Sequence, residues 1–237
     1  RDSAAMLLPI KLHANNMTFD CSIFGAAGGV GDVLMLPGFP EYKEMYTDLQ
    51  QALADEGYRS LSCDPRGYSP GARPTEYSAY SYNELTKDIF ALADAANFTR
   101  KFHMVAHDQG ARVCWHSLAV SEGQQRFATF SSLSIPHSDA FSDGILSVNS
   151  DLKQQVASQY VQSFTLEDSA SLHGDYMFNL IGKAARFETA TDFQRALWWY
   201  NGAIDSGAMA MAPVYSLSFE ASHGASQFDL LLRAQFG

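Results

Sequence analysis

The sequence has 237 residues, a net charge of −10 and a pI near 5.0, with 46% hydrophobic and 18% charged residues. That is globular composition, long enough for one domain with an insertion, and it excludes a disordered chain. The acidic balance, with no cluster of Lys or Arg, excludes the electrostatic footprint of a nucleic-acid or anionic-membrane binder and points to a small neutral substrate or a protein partner.

The chain starts on Arg1 rather than Met and carries two glycosylation sequons, Asn16-Met17-Thr18 and Asn97-Phe98-Thr99, a combination expected of a secreted or organellar protein. Residues 7–13 and 18–24 alternate in apolar character around a turn at Asn15-Asn16, which predicts a hairpin, and 32–36 reads as a buried strand after the Gly-rich turn 26–31. A helix is expected over 44–56, through Met45, Leu49, Ala52 and Leu53, ended by Gly57 and followed by a strand at 58–63. After a loop rich in Pro, Gly and Ser (64–81) come a helix at 82–96, a strand at 101–106, a helix at 111–120 and a strand at 127–135. Strand alternating with helix predicts a mostly parallel sheet with functional loops at the carboxyl ends of its strands.

From His137 to about Met211 the pattern is helical and aromatic-rich, which predicts a helical cap over the site. The expected division is a core at 1–136, a cap at 137–211 and a return segment at 212–237. No apolar run approaches the roughly 20 residues that span a bilayer; the longest are as short as Val33-Leu34-Met35-Leu36. The three cysteines, Cys21, Cys63 and Cys114, are too few for a closed disulfide framework and lie in apolar stretches. Buried free thiols are the simpler reading, one disulfide staying open if the compartment is oxidising, and a catalytic Cys lacks a His in a matching motif.

The chemistry gathers at Ala106-His107-Asp108-Gln109-Gly110, which follows a strand and opens a helix. Small residues two positions to either side of Asp108 are what a nucleophile elbow requires, since its strained turn must project the central side chain over the sheet. With Asp at the centre, His-Asp-x-Gly resembles the elbow of epoxide hydrolases and the related haloalkane dehalogenases within the α/β-hydrolase superfamily. Three more segments follow in family order. Leu36-Pro37-Gly38-Phe39-Pro40-Glu41 is similar to the His-Gly-Phe-Pro-Glu loop, Asp64-Pro65-Arg66-Gly67-Tyr68-Ser69 to the loop after the next strand, and Ile135-Pro136-His137 to the entry to the cap. In the cap, Leu197-Trp198-Trp199-Tyr200 resembles the segment supplying one of two ring-opening tyrosines, and Tyr160 falls where the other would lie. That both tyrosines simply pack in the cap interior stays open.

The resemblance implies an α/β-hydrolase fold, with a mostly parallel sheet and an inserted helical cap, acting on a small apolar epoxide. Asp108 would attack and form an ester, Tyr160 and Tyr200 would donate to the opening oxygen, and the backbone N–H groups of Phe39 and Gln109 would form the oxyanion hole. The two tyrosines favour an epoxide over a haloalkane. No cofactor is implied, for there is neither a phosphate-binding glycine loop nor metal-ligand spacing. The histidine and acid that release the ester lie beyond the cap in the family. None of the seven histidines here has a matching motif, so both residues, with the C-terminal strands, are expected on a second polypeptide or an excluded segment that covers the sheet edge. Pro37 stands where the family has His, and Gln109 where it often has Trp. These departures leave open an inactive binding or structural subunit of a larger assembly.

Overall fold

The computed structural model describes residues 8–146, 151–158 and 186–205. Six strands, β1 (Leu8–Ala14), β2 (Met17–Phe24), β3 (Asp32–Leu36), β4 (Arg59–Cys63), β5 (Phe102–His107) and β6 (Phe127–Leu133), form one sheet in the order β1-β2-β4-β3-β5-β6. The hairpin β1–β2 and its junction with β4 are antiparallel, whereas β4, β3, β5 and β6 run parallel. Asn15 and Asn16 turn the hairpin at φ 46° and 59°, a left-handed conformation that Asn tolerates. Every residue of β3 and β4 is buried, as expected of parallel strands covered on both faces.

The crossovers are α1 (Thr47–Asp55), α2 (Tyr82–Ala95), α3 (Asp108–Ala119) and the short α4 (Ser121–Arg126). The chain runs from β3 through α1 to β4 on one side, then returns past β3 to place β5 on the other. Such a reversal leaves a crevice at the carboxyl ends of the two strands flanking it. After β6 come α5 (Ser138–Leu146), α6 (Leu152–Ala157) and α7 (Ala190–Asp205), in keeping with the helical rhythm read after His137. Tyr160 and the expected return segment 212–237 lie outside the described residues. Along α7 the buried positions are Phe193, Ala196, Leu197, Trp199 and Tyr200, one face of a helix, and that face packs on the loop after β4. Trp199 meets Tyr68 edge-on at 5.5 Å and Arg73 pairs with Asp192 at 2.6 Å.

That loop has little secondary structure of its own, and one buried ion pair holds it. Arg66 donates from Nε to Asp88 Oδ2 at 2.8 Å and from Nη2 to Oδ1 at 2.6 Å, while its Nη1 donates to the Ala79 carbonyl. Asn15 Nδ2 adds a third donor to Asp88 at 2.8 Å, so the α2 carboxylate ties both the loop and the hairpin turn.

The cysteines correct the expectation of three free thiols. Cys21 on β2 and Cys63 on β4 are register partners joined by a disulfide, and both are buried. Their pairing depends on which strands become neighbours, which local periodicity does not encode. Cys114 on α3 does remain free, and burial pushes its thiol well up, away from reactive thiolate chemistry. No helix among the described residues is long and apolar enough to cross a membrane.

Removing one partner from a buried pair strands the other charge, so Asp88→Ala should lower the unfolding free energy by about 3–5 kcal/mol. The exposed Lys87–Glu84 pair gives the contrast: Lys87→Ala should stay within about 0.5 kcal/mol. Urea denaturation of the two variants beside the parent measures both.

Candidate active site

Because β3 and β5 are neighbours with Leu36 level with Ala106, the loops that follow them meet. His107 is extended (φ −114°, ψ 145°) and Asp108 then turns to φ 47°, in the left-handed region that a non-glycine residue enters only under constraint. A Cβ on Gly110 would lie 2.5 Å from the Pro37 carbonyl oxygen and 2.8 Å from that of Leu36, both backbone atoms. One on Gly38 would lie 2.6 Å from Asp108 Cβ. Of the two small residues that mark the elbow in the sequence, Gly110 is thus required by the approach of two backbones.

The Asp108 carboxylate is held by the loop that follows β3. The Phe39 N–H donates to its Oδ1 at 3.0 Å. Glu41 sets the loop that carries this amide: its Oε2 accepts from the Gly38 N–H at 3.1 Å and lies 2.7 Å from His107 Nδ1. The Phe39–Pro40 peptide between them is cis. Gln109 is fully buried in the first turn of α3, where backbone N–H groups have no acceptor within their own helix. Its side-chain Nε2 donates to the Trp199 carbonyl at 3.5 Å, linking the elbow to α7.

Tyr200 is buried with its ring 5.4 Å from that of Phe39, and the Arg112 guanidinium stands 5.8 Å from its centroid. The structure therefore gathers Asp108, Phe39, Gln109 and Tyr200 at one place, while Tyr160 lies outside the described residues. An aromatic wall that the sequence did not single out completes the surroundings. Tyr68 packs on Phe187 at 5.1 Å, Phe187 on Phe193 at 5.6 Å, and Phe193 on Phe39 at 6.2 Å. Burial, with the nearby Tyr42 and Asp108, pushes the Tyr68 phenol well up, so it stays protonated. Its only signal in the sequence is its place in the 64–69 segment.

His107, for which the sequence offered no catalytic motif, is about one-third exposed and paired with Glu41. Among the described residues no group of three or more His, Cys, Asp or Glu could hold a metal ion.

Residues 32–190 match the family described as alpha/beta hydrolase fold. The chain belongs to this family. Among curated proteins it is 36% identical over 108 residues to epoxide hydrolase A of Mycobacterium tuberculosis, a match covering 46% of this chain and 33% of that protein. It is 32% identical over 104 residues to an epoxide hydrolase of Caballeronia sordidicola, covering 44% and 31%. The match thus spans about a third of the length of these curated relatives. Among solved structures, epoxide hydrolases from hot-environment metagenomes superpose with a TM-score of 0.70 at 20% identity, covering 92% of this chain and 77% of theirs. An epoxide hydrolase from Vigna radiata gives 0.66 at 21%, covering 87% and 74%. This α/β-hydrolase is accordingly epoxide hydrolase-like, with the mostly parallel sheet expected from its sequence.

Two tests follow for the hydrolase elbow. Gly110→Ala meets backbone that cannot yield and should destabilise the protein by more than about 2 kcal/mol in urea denaturation. The hydrogen bond that His107 donates to the Glu41 carboxylate raises the His107 pKa above its ordinary 6.5. A raised folded value means that the stability from this pair is fully present below pH 6.5 and fades as pH rises through the raised value. His107→Gln should therefore lower the melting temperature at pH 5–6 and have progressively less effect toward pH 9 in a thermal-shift series.

Proposed function

We propose that this chain carries the nucleophilic part of an epoxide hydrolase, forming an ester on Asp108. The observation that supports it most is the Asp108 carboxylate at a left-handed elbow, receiving the Phe39 N–H at 3.0 Å. In the proposed reaction a carboxylate oxygen attacks one ring carbon of a small apolar epoxide. The C–O bond breaks, and the departing oxygen takes a proton from a phenol, the role assigned to Tyr200 and, from its sequence position, to Tyr160. Hydrolysis of the ester then places negative charge on its former carbonyl oxygen. The N–H groups of Phe39 and Gln109 are the donors proposed for that charge. The names of the curated relatives and the aromatic wall of Tyr68, Phe187, Phe193 and Phe39 favour such a substrate.

Release of the ester needs a base to activate water. His107 is engaged with Glu41, so we assign the base and its acid to a segment outside the described residues or to a second polypeptide. Such a segment would pair with β6, the edge strand on the parallel side of the sheet among the described residues, where Ala128, Thr129, Ser131 and Leu133 are exposed. The helices after His137, with α7 over the crevice, are the proposed cap of a core ending at 136.

Incubation with an aryl epoxide, an acid quench and peptide mapping by mass spectrometry test the reading. An adduct on the Asp108 peptide that disappears in Asp108→Asn is expected, and Tyr200→Phe should slow its formation roughly 10²-fold. Failure of the epoxide to label Asp108 would overturn the reading and favour an inactive, structural subunit.

A further inference from the structure

Two features outside the site point the same way. The Cys21–Cys63 disulfide lies inside the hydrophobic core between neighbouring strands, and such buried cystines form and persist where the compartment is oxidising. Independently, both sequon asparagines, Asn16 and Asn97, are exposed at turn tips, Asn16 at the end of the β1–β2 hairpin and Asn97 just after α2. Their φ values are 59° and 56°.

A left-handed turn explains an Asn at such a tip. Thr18 has a place of its own in β2, but no strand or helix accounts for Thr99, and the turn does not occupy either asparagine side chain. The neighbouring Asn15 shows the contrast: its amide is spent on Asp88 at 2.8 Å. The side-chain amides of Asn16 and Asn97 make no hydrogen bond among the described residues, and Thr99 is exposed and likewise unbonded. Asn97 is held through its backbone instead, its carbonyl accepting from Arg59 Nη2 at 3.1 Å and its N–H donating to the Asp94 carbonyl at 2.9 Å. The Asn16 tip also borders β1, an edge strand of the sheet, where a bulky polar group would hinder edge-to-edge association.

We infer that this chain folds in an oxidising secretory lumen and carries N-linked glycans on Asn16 and Asn97, donated by a lipid-linked diphospho-oligosaccharide. In that transfer the Asn side-chain nitrogen bonds to the anomeric carbon of the sugar. The bond from that carbon to the diphosphate breaks, the lipid diphosphate leaves, and the amide gives up one proton. Closure of Cys21–Cys63 releases two protons and passes two electrons to a lumenal protein disulfide, which becomes a dithiol.

The test is a peptide map of the chain isolated from the cells that make it, alkylated without reduction and treated with peptide-N-glycosidase in heavy-oxygen water. Conversion of both Asn16 and Asn97 to aspartate carrying the heavy oxygen, together with a Cys21–Cys63 linked peptide, is expected, and an unconverted asparagine at one position would remove that site from the inference. Unmodified asparagine at both positions would overturn the inference, as would alkylated Cys21 and Cys63 whatever the glycan result. Neither outcome depends on whether Asp108 reacts with an epoxide.

Discussion

The parallel pairing of β3 with β5 is the constraint on which the site rests. Leu36 and Ala106 are level, so the turns that follow begin side by side. The approach is close enough that a Cβ at Gly38 or Gly110 would collide with the facing turn. Within that contact the Phe39 amide reaches Asp108, and the carboxylate gains a fixed donor before any substrate is present. A donor in place beforehand needs no reorganisation when charge develops, which is the physical basis of oxyanion stabilisation.

Buried charges in matched pairs hold this arrangement level. At the amino ends of the same layer, Arg59 donates from Nε to Asp32 Oδ1 at 2.8 Å across the β3–β4 register, fixing where both strands begin. At the far end, Arg66 and Asp88 order the loop on which α7 lies, and Lys43 reaches Asp64 Oδ2 at 2.7 Å beside it. Each pair joins elements distant in sequence, so each converts strand order into loop position. The energy of such pairs is modest once desolvation is counted, but a broken one leaves a buried charge, which makes them strict determinants of geometry.

Most of the sheet and the elbow were legible because their signals are local. Alternation marked the hairpin strands, short apolar runs marked the buried ones, helical periodicity marked α1 and α2, and the spacing of small residues around Asp108 marked a turn that a tight approach demands. Helix α3 begins at Asp108 rather than at Ala111 because its first turn is defined by the strained elbow and carries no apolar repeat. What stayed hidden is non-local. The Cys21–Cys63 bond follows from strand neighbourhood, the Glu41–His107 contact from two loops meeting, and the packing of Phe187 on Tyr68 from α7 lying over the crevice. Gln109 is instructive in another way. As a departure from the family pattern it suggested lost chemistry, yet in the fold its amide bonds the Trp199 carbonyl next to Tyr200.

The most direct test of the arrangement at Asp108 is the amide resonance of Phe39 in an isotopically labelled sample, compared between the parent and Asp108→Ala. A donor to a carboxylate resonates downfield, so the Phe39 proton should move markedly upfield when the carboxylate is removed, while amides at the amino ends of β3 and β5 hold their positions. A Phe39 resonance that is unchanged by the substitution would contradict the placement of this amide on the Asp108 carboxylate.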